Sequence, residues 1–201
     1  MAWIRTIDYP DATGKLRRLY DRIKGPDDNV DNIMLAHNLR PHTLEAHMTV
    51  YKHVLHHSAN ELPKRFLETV GVYVSVLNGC GYCVEHHFVG LARLLGDRER
   101  ADAVLAALQA DRPEEAFEGA ELAMLRYVRA LTVAPATVDQ AMLADMRQHG
   151  VDDGCILELN QVAAYFAYAN RTVLGLGVDA AGDILGLSPN DSDNPDDWSH
   201  R

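Results

Sequence analysis

The run Asn78-Gly79-Cys80-Gly81-Tyr82-Cys83-Val84-Glu85-His86-His87 places two cysteines three residues apart and a histidine four residues after the second cysteine. Asn78-Gly79 indicates a helix end, so Cys80 is expected at the start of the next helix, where unpaired backbone N–H groups favour an anion. Cys83 lies one turn further on, and His87 shares its face at i+4 spacing. The pattern predicts a redox pair with a base beside it.

Each sulfur has its own means of activation. Only a thiolate attacks a peroxide or a disulfide, and a free cysteine with a pKa of about 8.5 is mostly thiol at neutral pH. The helix start would activate Cys80, whereas His87 could accept the proton of Cys83. We prefer Cys83 as the attacking sulfur because its base lies one turn away, but the sequence leaves the choice open.

Composition restricts the class of protein. The 201 residues suffice for one domain with a sizeable core, and a net charge of −10 argues against binding to nucleic acid. No apolar run approaches the roughly 20 residues that span a bilayer, and no secretory signal is recognisable, so we expect a cytoplasmic protein without a membrane partner. Three cysteines with one close pair do not make a secreted disulfide framework.

Apolar periodicity predicts an all-α protein without a convincing strand pattern. The expected helices span 11–24, 31–39, 42–57, 63–77, 80–95, 98–109, 113–131, 137–148 and 153–174. Residues 1–187 would form a single antiparallel helical bundle. The acidic segment 188–201 is poor in helix formers, so we expect a tail that is mobile or docks on a neighbour.

Segment 63–77 is mostly apolar in its second half, which predicts a buried central helix, although its β-branched residues leave a strand as the alternative. Glu68, Val72 and Ser75 fall on one stripe of that helix, so a carboxylate would point inward. Its apolar surroundings make Glu68 a candidate functional residue, and Ser75 is either a packing hydroxyl or a support of the site.

The spacing of Glu68, Cys80, Cys83 and His87 resembles that of the alkylhydroperoxidase D-like group of the carboxymuconolactone decarboxylase superfamily. Residues 75–87 and 161–178 are similar to its peroxidase-related enzymes. The resemblance implies a helical bundle that forms homo-oligomers, a dimer or a hexamer. It also implies a thiol-dependent peroxidase that reduces organic hydroperoxides, with these four residues as relay and redox pair. In this relay the Cys83 proton passes to His87 and on towards Glu68, and we expect a water between the imidazole and the carboxylate. The dithiol itself carries two electrons, so no prosthetic group is expected, and a lipoyl-bearing protein or another dithiol would be the reductant.

One position departs from the family pattern. The best-described peroxidases carry a histidine immediately before the second cysteine, where this chain has Tyr82. Tyrosine does not act as a base near neutral pH, although His86 adds a titratable group nearby. A dithiol-disulfide oxidoreductase or redox sensor with little peroxidase activity is therefore an alternative. A zinc-stabilised, non-enzymatic helical subunit, with His86 or His87 as a further ligand of the cysteine pair, is a weaker one.

Other polar and aromatic residues have structural interpretations. His53 and His57 have the i, i+4 spacing of a zinc helix but no accompanying glutamate, so we expect no metal site there. The aromatic residues of 165–168 are expected in the core or an interface, with one of them possible in the pocket beside the cysteines. Arg171 is expected in a structural salt bridge, and Cys155 as an apolar filler.

Overall fold

Helix α4, Lys64–Leu77, is the central element of the computed structural model, which describes residues 2–201. Every residue from 66 to 75 is buried, and α4 packs against helices on several sides. Burial all round explains why the sequence shows no polar stripe in this segment and why β-branched residues are tolerated in a helix. The strand alternative for 63–77 is wrong.

Residues 2–201 contain eight further α-helices. Before α4 come α1 Gly14–Ile23, α2 Asn32–Ala36 and α3 Pro41–Leu55; after it come α5 Gly81–Leu95, α6 Arg98–Gln109, α7 Gly119–Val133, α8 Gln140–Gln148 and α9 Asp153–Leu176. Of these, α3, α5, α6, α7 and α9 pack against α4. Short 3-10 turns occupy Tyr9–Asp11, Pro26–Asp28, Pro113–Glu115 and Pro135–Thr137. Residues 2–201 contain no β-strand beyond two isolated bridges, so the all-α prediction is confirmed.

The helix expected over 113–131 is divided. Asp111 has a positive φ of 56° and Gly119 one of 53°, so the chain turns twice before α7 begins. A 3-10 turn lies between these two positions. Helix α8 also begins later than expected, because the Asp139 side chain caps it by accepting from the backbone N–H groups of Ala141 and Met142.

The segment 188–201 docks on its own chain. The Lys52 ammonium donates to the Ser192 hydroxyl at 2.9 Å, and the backbone N–H of Ser192 donates to the His56 carbonyl at 3.1 Å. Trp198 is only 4% exposed, with the Arg22 guanidinium 3.7 Å from the centre of its ring. The expected docking on a neighbour is therefore replaced, in this structure, by packing within one chain.

Among the described residues, no helix combines the length and apolar character needed to cross a membrane.

Candidate active site

The cysteine pair lies at the junction of α4 and α5. Gly79, with φ at 69°, ends α4, and the backbone N–H of Cys80 donates to the Ser75 carbonyl at 2.8 Å. Cys80 is the N-cap residue of α5, and Cys83 follows in the first turn. Both thiols are free and buried, and their Sγ atoms lie 3.2 Å apart. This separation allows a disulfide, with an S–S bond of about 2.05 Å, after a small movement.

Glu68 and His87 form a direct hydrogen bond. Glu68 Oε2 lies 2.8 Å from His87 Nδ1, so the water expected between them is not needed. Burial raises the pKa of the Glu68 carboxyl, but His87 and the nearby Lys64 lower it more, and the net pKa falls below its ordinary value. The ionised carboxylate binds the Nδ1 proton and leaves His87 Nε2 as the basic nitrogen.

Cys83, Glu68 and His87 line one cavity of about 50 Å³, which Cys80 does not reach. This volume admits a few waters or the oxygen pair of a small peroxide. The remaining walls come from polar and aromatic side chains, among them Asp31, His47, Tyr51, Tyr82, His86, Tyr165, Phe166 and His200. A thiol, a carboxylate-bound imidazole and space for a small reactant therefore share one enclosed site.

The pKa values of the two thiols are shifted in opposite directions. Hydrogen bonding with Cys83 lowers the pKa of Cys80 and outweighs its burial. The same contact, together with burial, raises the pKa of Cys83 well above its ordinary value. The nearby Asn170 of α9 acts to lower the pKa of both sulfurs. In the resting pair, the proton is held more tightly by Cys83.

Ser75 lies in a chain of buried hydrogen bonds beneath the pair. Its hydroxyl donates to the Gly71 carbonyl at 2.7 Å and accepts from the Asn170 amide at 3.0 Å. Asn78 donates in turn to the Asn170 side-chain oxygen at 2.9 Å. Ser75 thus orients the amide that contacts the cysteines rather than joining Glu68 and His87.

Tyr82 and His86 belong to a different group. The Tyr82 hydroxyl donates to Asp183 Oδ2 at 2.8 Å and accepts from the Ile33 backbone N–H at 3.2 Å. His86 Nε2 lies 3.2 Å from the same carboxylate oxygen. Burial and Asp183 raise the pKa of Tyr82 well above its ordinary value, so Tyr82 does not serve as a base.

Several residues that line the cavity were missed by sequence reasoning. Asp31 precedes a short helix, where an aspartate is typical of a cap, and His200 lies in a segment expected to be mobile. Of the aromatic candidates, Tyr165 and Phe166 reach the cavity, whereas Tyr168 is largely exposed.

One further expectation is corrected. Among the described residues, Arg171 has no salt-bridge partner; it is exposed and donates to the Ala167 carbonyl of its own helix. Cys155 packs half-buried against the core, as expected of an apolar filler. It also lies near Glu61 and Asp152, and burial together with the neighbouring carboxylates raises its pKa to about 11. Such a thiol is unreactive at neutral pH.

Within residues 2–201, the only three side chains close enough to share a metal ion are those of Glu61, Asp152 and Cys155. His53 and His57 stack with ring centres 5.6 Å apart, without a third ligand. The cysteine pair also lacks a complete ligand set, so the geometry gives no support to a zinc-stabilised subunit.

A family model of the carboxymuconolactone decarboxylase family matches residues 41–120, the stretch that carries Glu68, both cysteines and His87. The match covers 80 of the 201 residues, and over that stretch the chain is similar to the family. This similarity supports an enzymatic function. No curated protein sequence matches the chain.

Solved structures of the superfamily share the fold. An uncharacterized peroxidase-related protein from Ralstonia eutropha JMP134, described as an alkylhydroperoxidase AhpD core, is 21% identical with a TM-score of 0.75, over 89% of this chain and 92% of that one. A peroxidase-related protein from Silicibacter sp. TM1040 is 24% identical with a TM-score of 0.68, over 75% and 76%. The debrominase Bmp8 is 18% identical with a TM-score of 0.67, over 87% and 89%. The alkylhydroperoxidase-like helical fold is thereby confirmed.

Proposed function

We propose that this protein is a thiol-dependent peroxidase that reduces organic hydroperoxides. The observation that carries the proposal is the shared cavity, in which Cys83 lies with the hydrogen-bonded Glu68 and His87 while Cys80 lies 3.2 Å behind it. A peroxidase of this kind needs a thiolate, a base to form it, and a second thiol to resolve the oxidised sulfur. All three are within one helix junction.

The first half-reaction oxidises Cys83. His87 Nε2 takes the Cys83 proton, and Glu68 stabilises the resulting imidazolium. The thiolate attacks the distal peroxide oxygen, the O–O bond breaks, and the alkoxide takes up a proton and leaves as the alcohol. Cys83 is left as a sulfenic acid, two electrons more oxidised. Cys83 is the attacking sulfur in this scheme because it lines the cavity and Cys80 does not.

The second half-reaction forms the disulfide. The Cys80 sulfur attacks the Cys83 sulfur, the S–O bond breaks, and hydroxide leaves as water after taking up a proton. The lowered pKa of Cys80 suits this resolving role. An external dithiol, such as a lipoyl-bearing protein, then reduces the disulfide, so that no prosthetic group takes part. We place this reaction in a cytoplasmic homo-oligomer, a dimer or a hexamer, that binds neither nucleic acid nor membrane.

Stopped-flow oxidation of the reduced protein by cumene hydroperoxide tests the proposal. We expect rapid formation of the Cys80–Cys83 disulfide, a trapped sulfenic acid in Cys80→Ser, and no oxidation in Cys83→Ser. Loss of the base in His87→Ala should slow oxidation by about 100-fold or more, because positioned proton transfer contributes on this order. Glu68→Gln should slow it less. Cys155→Ser is the matched control and should react like the wild type.

Two outcomes would change the assignment. If Cys80→Ser is inert and Cys83→Ser accumulates the sulfenic acid, the roles of the sulfurs are exchanged, as the lower pKa of Cys80 would allow. If the wild type oxidises no faster than free cysteine yet exchanges readily with a lipoyl disulfide, the peroxidase is wrong and the dithiol-disulfide oxidoreductase replaces it.

A further inference from the structure

A second acid–base group faces the same cavity and has no role in the scheme above. Asp183 accepts hydrogen bonds from the Asn32 backbone N–H at 3.0 Å and from the Tyr82 hydroxyl at 2.8 Å, and it lies 3.2 Å from His86 Nε2. Asp31 is also buried and lines the cavity with Cys83. Among the described residues, its carboxyl group accepts one side-chain hydrogen bond, from Asn29 at 2.9 Å. Asp183 is therefore fixed by several partners, whereas Asp31 retains capacity for a reactant.

Asp31 lies on a different element from Cys83 and His87. Cys83 and His87 share one face of α5 at i+4 spacing, whereas Asp31 lies on the loop ahead of α2. In an in-line displacement at the distal oxygen, the leaving oxygen lies on the side away from the attacking sulfur. A proton donor for that oxygen is therefore best carried by an element other than α5, as Asp31 is.

We propose that the carboxylic acid of Asp31 donates a proton to the alkoxide oxygen as the O–O bond breaks. The inference rests on the proposed peroxidase function. Asp31 becomes a carboxylate and the alkoxide becomes the alcohol, while His87 holds the proton taken from Cys83. Transfer of that proton from the imidazolium to Asp31, through water, resets both groups for the next cycle. His86 and Asp183 hold the surrounding charges in place.

The surroundings of Asp31 favour a protonated carboxyl group. Burial is the largest influence and raises its pKa to about 6; Asp183 acts in the same direction and His86 opposes it. Tyr82 and Tyr51, which also interact electrostatically with Asp31, are neutral because their own pKa values are raised. An acid with a pKa this close to neutral gives up its proton and regains it readily.

Oxidants with different leaving groups distinguish proton donation from a structural role. Cumene hydroperoxide expels an alkoxide, which needs a proton, whereas peracetic acid expels acetate, which does not. Asp31→Asn should slow oxidation of Cys83 by the hydroperoxide by roughly 100-fold and leave oxidation by the peracid nearly unchanged. Asp193→Asn, at an exposed carboxylate that does not line the cavity, is the matched control and should match the wild type with both oxidants.

Equal slowing with both oxidants, or no slowing with either, would overturn the role of Asp31. Asp31→Glu retains a carboxyl group and serves as a second variant if Asp31→Asn folds poorly. We expect Asp31→Glu to react faster than Asp31→Asn with the hydroperoxide and at the same rate as Asp31→Asn with the peracid. A wild type that reacts with neither oxidant faster than free cysteine would overturn the proposed peroxidase itself. The two failures are therefore distinguishable.

Discussion

At the residue scale, Asp31 is a buried acid whose ionisation opposes folding. Its pKa is raised from 3.8 to about 6 by burial, so the folded chain favours the protonated form. The stability contributed by that form is fully present below about pH 4 and is lost as the pH rises through about 6. Near neutral pH the carboxylate form of Asp31 therefore predominates and costs stability, and the fraction that stays protonated is the form that can act as the proposed donor.

Asp31→Asn should remove this cost because the amide stays neutral at every pH. We expect the variant to exceed the wild type in free energy of unfolding by up to about 3 kcal/mol at about pH 7.5, with the difference closing towards about pH 4. Urea unfolding at the two pH values measures this. A difference that is the same at both would show that hydrogen bonding by Asn29, rather than ionisation, determines the effect.

The sequence marks only those site residues that share a helix or a helical stripe. Cys80, Cys83 and His87 lie within one turn or two of each other, and Glu68 was found because its stripe is otherwise apolar. Asp183 approaches from 151 residues away to accept the Asn32 backbone N–H. Contacts between residues so far apart in the chain leave no periodic pattern in the sequence. The base His87 could therefore be predicted from the sequence, whereas the proposed acid Asp31 could not.

At the element scale, the contact of α4 with α9 sets the position of the site. Gly71 of α4 lies against the Phe166 ring of α9, and a Cβ at that glycine would lie 2.2 Å from Phe166 Cζ. Phe166 also packs edge-on against His87, with ring centres 4.6 Å apart. The missing side chain of Gly71 therefore lets an aromatic ring support the His87 imidazole.

Gly71→Ala should destabilise the fold despite the higher helix propensity of alanine. Displacement of the Phe166 ring should cost about 1–3 kcal/mol, as overpacking of a core does, and should also lower the rate of thiol oxidation through His87. The matched control is Gly175→Ala in α9, where a Cβ would meet no atom within 4 Å. That variant should be neutral or up to about 1 kcal/mol more stable. Thermal unfolding of the two variants compares them, and equal melting temperatures would contradict the packing argument.

Helix existence could be predicted here more reliably than helix ends. Within residues 2–201, a helix is present in each of the nine expected segments. The error over 113–131 arises between the 3-10 turn Pro113–Glu115 and α7, where Glu118 is extended and Gly119 has a positive φ of 53°. Just before this segment, Asp111 has a positive φ of 56°, and its carboxylate accepts from the Tyr73 hydroxyl at 2.7 Å and pairs with Arg129. Tertiary contacts thus stabilise a backbone conformation that local propensity disfavours.

At the scale of the whole molecule, the acidic tail closes the active-site cavity. Leu187, Ser188 and His200 contribute to its lining, and His200 stacks on Tyr51 with ring centres 6.3 Å apart. The polar composition of 188–201 predicted mobility, but two buried side chains fix the segment to the domain. His200 is positioned by Trp198, whose carbonyl oxygen lies 3.0 Å from His200 Nδ1. The tail is therefore part of the site's wall.

Trp198→Ala should loosen this wall and expose Cys83. Truncation of a buried tryptophan lowers the free energy of unfolding by about 3–5 kcal/mol. Part of this loss lowers the free energy needed to open the tail locally. We expect alkylation of the reduced pair by N-ethylmaleimide to accelerate by roughly tenfold or more, since about 1.4 kcal/mol corresponds to a factor of ten. In a Cys155→Ser background, mass spectrometry would report Cys80 and Cys83 alone. Asp193→Ala, an exposed position of the same tail, is the control and should leave the rate unchanged. If Trp198→Ala alkylates no faster than this control, access to Cys83 does not depend on the tail, and the reactant enters by another wall of the cavity.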